Sequence, residues 1–149
     1  MITSDINKEQ DKIIEEFRVL GSDKESTVFY IMELGKKLMP LGEEHKIDQN
    51  LIKGCQSKVW LNAELKENRI WFYADSNTEI TKGLISLLIR VLSGRYMDDI
   101  LNAELYFLNR IGISNIIGSQ RSNGLLSMIK QMKLYALAYK TKMNHITQQ

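Results

Sequence analysis

The sequence predicts an α+β fold in which helices pack on one side of a small antiparallel sheet. Three observations carry this. Two segments with helical apolar spacing open the chain, the apolar period drops to two over residues 59–74, and helical spacing returns for the remainder. At 149 residues the chain fits a single domain, residues 1–149, and a chain of this size buries roughly 70% of its unfolded surface on folding.

Taken in order, Asn7 and Gln10 have capping-box spacing, and Ile6, Ile13, Phe17 and Leu20 form the apolar stripe of a first helix that stops at Gly21. Ser22 and Glu25 repeat the box, and Ile31, Leu34 and Leu38 place a second helix ending before Pro40. The short link between them makes an angled or antiparallel pair. Residues 41–53 are mostly polar and keep no period, which reads as a long loop; loops of that length in a compact domain are uncommon and often functional.

Val59, Leu61, Ala63 and Leu65 then alternate with Trp60, Asn62, Glu64 and Lys66, as in a strand with one buried face. Glu67 and Asn68 make a turn, and Ile70, Phe72 and Ala74, alternating with Trp71 and Tyr73, give the returning strand of a hairpin. Aromatics on both faces predict that the second face is covered too. Ser76 and Glu79 form another capping box, opening a third, central helix through Ile80, Leu84, Leu87, Leu88, Val91 and Leu92 to Gly94. A short element near residues 98–100 leads to a helix carrying Leu105, Leu108 and Ile111, closed by Gly112. Residues 118–124 read as a turn and cap cluster, followed by a long final helix along Leu125, Met128, Met132, Tyr135 and Tyr139. Residues 145–149 are expected to fray.

Composition narrows the function. With 44% apolar and 26% charged residues the chain is an ordinary globular sequence, and its net charge of +2 comes from 20 basic and 18 acidic residues that read as interspersed, unlike the concentrated basic footprint of a nucleic-acid binder. No window approaches the roughly 20 apolar residues of a membrane span, and no signal-peptide pattern opens the chain, so the cytoplasm is the expected location. A single cysteine forms no internal disulfide, and with only His45 and His145 it builds no zinc site. No phosphate loop or dinucleotide fingerprint occurs, and no cofactor is called for.

The lone thiol is therefore the main chemical candidate. Cys55 stands in Gly54-Cys55-Gln56-Ser57-Lys58-Val59-Trp60, between the long loop and the first strand. Two readings stand side by side: free cysteines are commonly buried filler, whereas a loop thiol after a glycine is a reachable nucleophile. An unperturbed thiol, with a pKa of about 8.5, is only a few per cent ionised near neutrality. Lys53 and Lys58 favour the thiolate only if they turn toward it. A cysteine hydrolase needs a histidine base, for which His45 is the sole candidate; a thiol that receives and hands on sulfur needs none. Asp75, where the second strand meets the third helix, serves helix electrostatics or a site; Arg121 is an exposed docking charge or a tie to a carboxylate. Trp60, Trp71 and Tyr73 are core packing or a partner surface. Glu43, Glu44 and Asp48 make neither a metal site nor a carboxylate dyad by spacing.

These seven residues closely resemble the GCQSxVW signature of the SufE family, the sulfur acceptors of iron–sulfur cluster assembly. Leu38-Met39-Pro40-Leu41, Asp75-Ser76 with Ile80-Thr81-Lys82-Gly83-Leu84-Ile85, and Ile111-Gly112 with Arg121-Ser122-Asn123-Gly124-Leu125 and Met128 resemble further family segments in the family's order. The resemblance implies an IscU-like fold with a sheet of about three strands, the third short or hidden in the loop region. It implies docking on a pyridoxal-phosphate cysteine desulfurase, transfer of persulfide sulfur to Cys55, and delivery to an iron–sulfur scaffold complex. By the same resemblance Gly54, Gln56 and Ser57 shape the loop, and Asp75 and Arg121 match motif positions. Leu51 stands where family members commonly have arginine. The resemblance also implies a Cys55 largely buried in the free protein.

Overall fold

The structure, a computed structural model, describes residues 5–147. Helix α1, Asp5–Leu20, buries Ile6, Ile13 and Phe17 as its stripe requires, and Gly21 at φ 75° ends it. The first capping box does not form, because Asn7 and Gln10 already lie inside the helix. Gln10 is instead a fully buried tether. Its Nε2 donates to Asn7 Oδ1 and Glu104 O at 3.2 and 3.1 Å, and its Oε1 accepts from the Phe107 amide at 3.2 Å, so both polar atoms of this buried amide are satisfied.

Helix α2, Lys24–Lys36, is capped by Asp23 rather than by Ser22: the carboxylate accepts from the Glu25 amide at 3.2 Å and from Ser26 Oγ at 2.6 Å. It touches α1 through the edge-on rings of Phe17 and Tyr30, 5.4 Å apart. Its closest approach is to α3, Glu79–Leu92, where a Cβ on Gly83 would lie 1.9 Å from Ile31 O and one on Gly35 2.3 Å from Glu79 O. Only glycine permits that crossing. The box predicted at Ser76 and Glu79 is likewise absent, since Ser76 is still strand and α3 starts after Thr78.

Strands β1, Val59–Lys66, and β2, Arg69–Ser76, pair antiparallel with Leu61 opposite Ala74. Glu67 and Asn68, at φ 53° and 65°, supply the two left-handed residues of a tight hairpin turn. The third strand, β3, is indeed short: Arg95–Tyr96, entered through Gly94 after α3, pairs with Arg69 and Ile70. It does not come from the 41–53 loop, which contributes two 3-10 turns, Glu43–His45 and Asp48–Asn50, and a bridge from Leu51 to Trp60.

Val59, Leu61, Ile70, Phe72 and Ala74 face the core under α3 and the long C-terminal helix. The opposite face is not covered as expected. Trp60 and Tyr73 are half-buried, Trp71 is 39% exposed, and Trp71 and Tyr73 line an open cleft of about 790 Å³ whose other wall includes Leu38, Leu41 and His45. These aromatics are neither core packing nor free surface.

After β3 come α4, Met97–Asn102, α5, Phe107–Arg110, and α6, Ile113–Ile117. The helix expected around residues 105–111 is thus a single turn, and α6 was not foreseen. Helix α7, Ser119–Thr147, starts directly after Gly118 at φ 85°. Of the turn cluster expected at 118–124 only Gly118 lies outside a helix; Asn123 and Gly124 are helical. Residues 145–147 continue α7, and Gln148 and Gln149 lie outside the described residues. Tyr135 and Tyr139 donate their hydroxyls to Leu61 O and Ala63 O at 3.4 and 3.2 Å, closing acceptors on the outer edge of β1.

Candidate functional site

The cysteine loop runs between two ties to the sheet. Before it, the Ile52 amide donates to Val59 O at 2.8 Å; after it, the Lys58 amide donates to Asn77 Oδ1 at 3.0 Å. Gly54 turns the chain at φ 93°, and a Cβ there would lie 2.8 Å from Ser127 Oγ on α7. The left-handed backbone thus favours glycine before the thiol, with the rotatable Ser127 hydroxyl close by.

Cys55 lies against α7 at Gly124. Its Sγ donates to Gly124 O at 3.5 Å, and a Cβ added at Gly124 would sit 3.4 Å from Sγ, at van der Waals contact, so the thiol packs directly on the helix backbone. The niche, about 10 Å³, is closed by Thr81, Leu84 and Met128 below and by Gln120 and Arg121 at its mouth. That is about the space of one water molecule. Cys55 is half-buried, shallower than the resemblance implies. Burial alone pushes the thiol pKa up; the exposed Lys53 and Lys58 do not lower it, so flanking charge does not activate this cysteine. At rest it is a protonated, poorly nucleophilic thiol.

Gln56 is exposed and its Nε2 donates to Gln120 Oε1, linking the loop to the start of α7. Ser57 Oγ lies 3.1 Å from Thr78 Oγ1 and accepts from Thr81 Oγ1 at 3.3 Å, while Thr78 Oγ1 donates to Thr81 Oγ1 at 2.8 Å. This hydroxyl triangle holds the loop on the first turn of α3. Arg121 is exposed at the mouth of the niche and enters no ion pair among the described residues, so the tie to a carboxylate is not made.

Asp75 is the predicted site residue that the fold places elsewhere. It is buried, and its Oδ1 accepts from the Ser76 amide at 2.8 Å and its Oδ2 from the Leu41 amide at 3.2 Å; Lys46 Nζ approaches Oδ2 at 3.3 Å and Lys82 Nζ approaches Oδ1 at 3.8 Å. Burial raises its pKa, but the two amides and Lys46 outweigh this and hold it below the ordinary carboxylate value. Its work is to clamp residues 41–46 to the sheet, where Lys46 also lies 5.7 Å from the Trp60 ring. Leu51, the departure from the family pattern, is half-buried and bridged to Trp60.

Sequence reasoning missed the roles of Thr78, Thr81, Leu84 and Gln120. Thr78 and Thr81 carried a usable signal, hydroxyls three apart on a helix start; Gln120 carried none. His45 lines the broad cleft and not the niche, so among the described residues the thiol has no histidine base beside it, and no three potential ligands converge there as a metal site.

Fold and niche together define a class: an α+β domain presenting one sheltered thiol on a glycine-hinged loop. Comparison with known proteins narrows that class. A family model described as SufE, Fe-S metabolism associated domain, matches residues 11–136, and the chain belongs to the SufE family. It is 37% identical over 134 residues to SufE-like protein 1, chloroplastic/mitochondrial, of Arabidopsis thaliana, covering 88% of this chain and 36% of that much longer protein. It is 36% identical over 112 residues to the cysteine desulfuration protein SufE of Wigglesworthia glossinidia brevipalpis, covering 73% of this chain and 77% of that one. The solution structure of a hypothetical protein from Thermus thermophilus superposes with a TM-score of 0.73 at 17% identity, over 89% of this chain and 96% of the other, which supports the fold. Family membership associates the chain with iron–sulfur metabolism. No helix among the described residues is long and apolar enough to cross a membrane.

Proposed function

We propose that the protein is a sulfur acceptor: Cys55 takes sulfane sulfur from the persulfide of a pyridoxal-phosphate-dependent cysteine desulfurase, stimulates that enzyme, and passes the sulfur to an iron–sulfur scaffold. The observation that carries this reading is the sheltered Cys55 on the Gly54 hinge, within a chain of the SufE family. Cys55 thiolate attacks the outer sulfur of the donor persulfide; a new S–S bond forms at Cys55, the donor's S–S bond breaks, and the donor leaves as a thiolate. No external oxidant or reductant is needed, because the sulfane sulfur moves as a group. The proton of the resting thiol goes to solvent or to the departing thiolate. Protonation in the niche keeps the cysteine from oxidising until docking draws the loop out.

A docking activator that never carries sulfur is the second reading, favoured by the exposed Arg121 at the mouth of the niche. Cys55→Ser separates the two: an acceptor loses stimulation, a pure docking activator keeps it. The cytoplasm remains the proposed location, and Gly54, Gln56, Ser57 and Arg121 are the proposed docking surface around the thiol. Asp75 supports that surface from behind by fixing residues 41–46.

A further inference from the structure

The charges are not interspersed. All 18 acidic residues lie within residues 1–104, where there are 14 basic ones, while residues 105–149 carry Arg110, Arg121, Lys130, Lys133, Lys140 and Lys142 and no acid. The fold brings this acid-free part to the thiol, because α7 forms one wall of the niche. The cysteine loop forms the other wall, and between Asp48 and Glu64 it too has no acid, only Lys53 and Lys58. The third segment, the first turn of α3, contributes Glu79, one of whose carboxylate oxygens is buried, and Lys82, which reaches Asp75. Lys53, Lys58 and Arg121 are exposed and enter no ion pair among the described residues, whereas Lys36, Lys46, Arg90 and Lys140 are neutralised by acids.

We infer that Lys53, Lys58 and Arg121 form a positive collar around Cys55 that docks a protein face carrying carboxylates around its sulfur donor. This deepens the sulfur-acceptor reading and rests on it. Arg121 lines the niche itself, and Lys53 and Lys58 flank Cys55 by two and three positions on the loop; like charges so placed steer an oppositely charged partner and raise the encounter rate more than they tighten the final contact. Since burial alone sets the thiol's ionisation, the collar acts on the partner and not on the sulfur.

The test is the single-turnover rate of sulfur transfer from a persulfide-loaded cysteine desulfurase of the source genome to full-length protein, read by mass spectrometry of Cys55 in about 20 mM and about 0.5 M NaCl. The wild-type rate should fall about tenfold over that range as screening shortens the reach of the charges. Lys53→Gln/Lys58→Gln/Arg121→Gln should start about tenfold slower and show almost no salt dependence. Lys24→Gln, at the far end of α2, should behave as wild type. All should react equally with an uncharged alkyl persulfide. A salt-independent wild-type rate, a triple variant as fast as wild type, or a triple variant equally slowed toward the alkyl persulfide overturns the collar and leaves the acceptor reading standing. No sulfur on wild-type Cys55 at either salt overturns both.

Discussion

Gly54→Ala places a Cβ on a residue held at φ 93° and 2.8 Å from Ser127 Oγ. The left-handed backbone costs an L-residue about 1–2 kcal/mol, and the serine hydroxyl can rotate away, so the backbone contribution dominates. The loop's backbone is tied at its two ends, by Ile52 to Val59 and Lys58 to Asn77, and between them only side chains hold it: the weak thiol contact to Gly124, the Gln56–Gln120 bond and the Ser57 hydroxyl on Thr78 and Thr81. Strain there is relieved by lifting the loop out of the niche rather than by unfolding the domain. An opening equilibrium biased by that amount shifts by about 5- to 30-fold. The assay is the second-order rate of Cys55 alkylation by iodoacetamide at fixed pH. The variant should react several-fold to tenfold or more faster with little change in melting temperature, and adding Ser127→Ala should leave most of the effect in place. An unchanged alkylation rate accompanied by a lower melting temperature, of order 2–4 °C per kcal/mol, would refute the idea of a locally opening loop.

Asp75→Asn keeps the shape of the side chain but loses charge-assisted bonds, and should cost about 2 kcal/mol at neutral pH in urea unfolding. The folded-state pKa is depressed, so the carboxylate's contribution is present above the ordinary value of 3.8 and lost as pH falls through the lower folded value; the gap between wild type and variant should close there. A gap that persists unchanged in acid would show that charge is not what holds residues 41–46. Tyr135→Phe and Tyr139→Phe should each cost about 0.5–1.5 kcal/mol and together raise amide exchange along β1. Exchange confined to α7 would mean that the hydroxyls do not guard the strand edge.

Where each element depended on a periodic apolar face, the sequence was readable. The stripe of α1, the alternation in β1 and β2 and the run in α3 bury most of the residues that their spacing selects, with Leu20, Ala63, Leu65 and Ile80 half-buried. Helix starts were less readable because polar spacing is degenerate. Asp23 outcompetes Ser22 by one position, and Gln10 fits a capping box yet serves as a buried tether to residues 104–107, a partner some 94 positions away. The 118–124 cluster misled for a related reason: its polar, glycine-bearing sequence fits a turn, but Gly124 lies within α7 with the Cys55 sulfur packed against it. In the site, Gly54, Cys55, Gln56 and Ser57 were legible as a contiguous motif. Thr81, Leu84 and Met128 were not, since only the docking of α3 and α7 brings them beneath the thiol. Asp75 was singled out for the right type and place on the chain, yet its side chain points to the 41–46 segment on the other face of the sheet.

The central claim is that Cys55 itself carries sulfur. Intact-protein and peptide mass spectrometry after incubation with cysteine and the desulfurase should find one added sulfur atom on the peptide containing Cys55, lost on reduction and absent from Cys55→Ser, together with faster desulfurase turnover for the wild type alone. Full stimulation by Cys55→Ser, or a wild-type protein that stimulates while its thiol stays unmodified, would contradict the account.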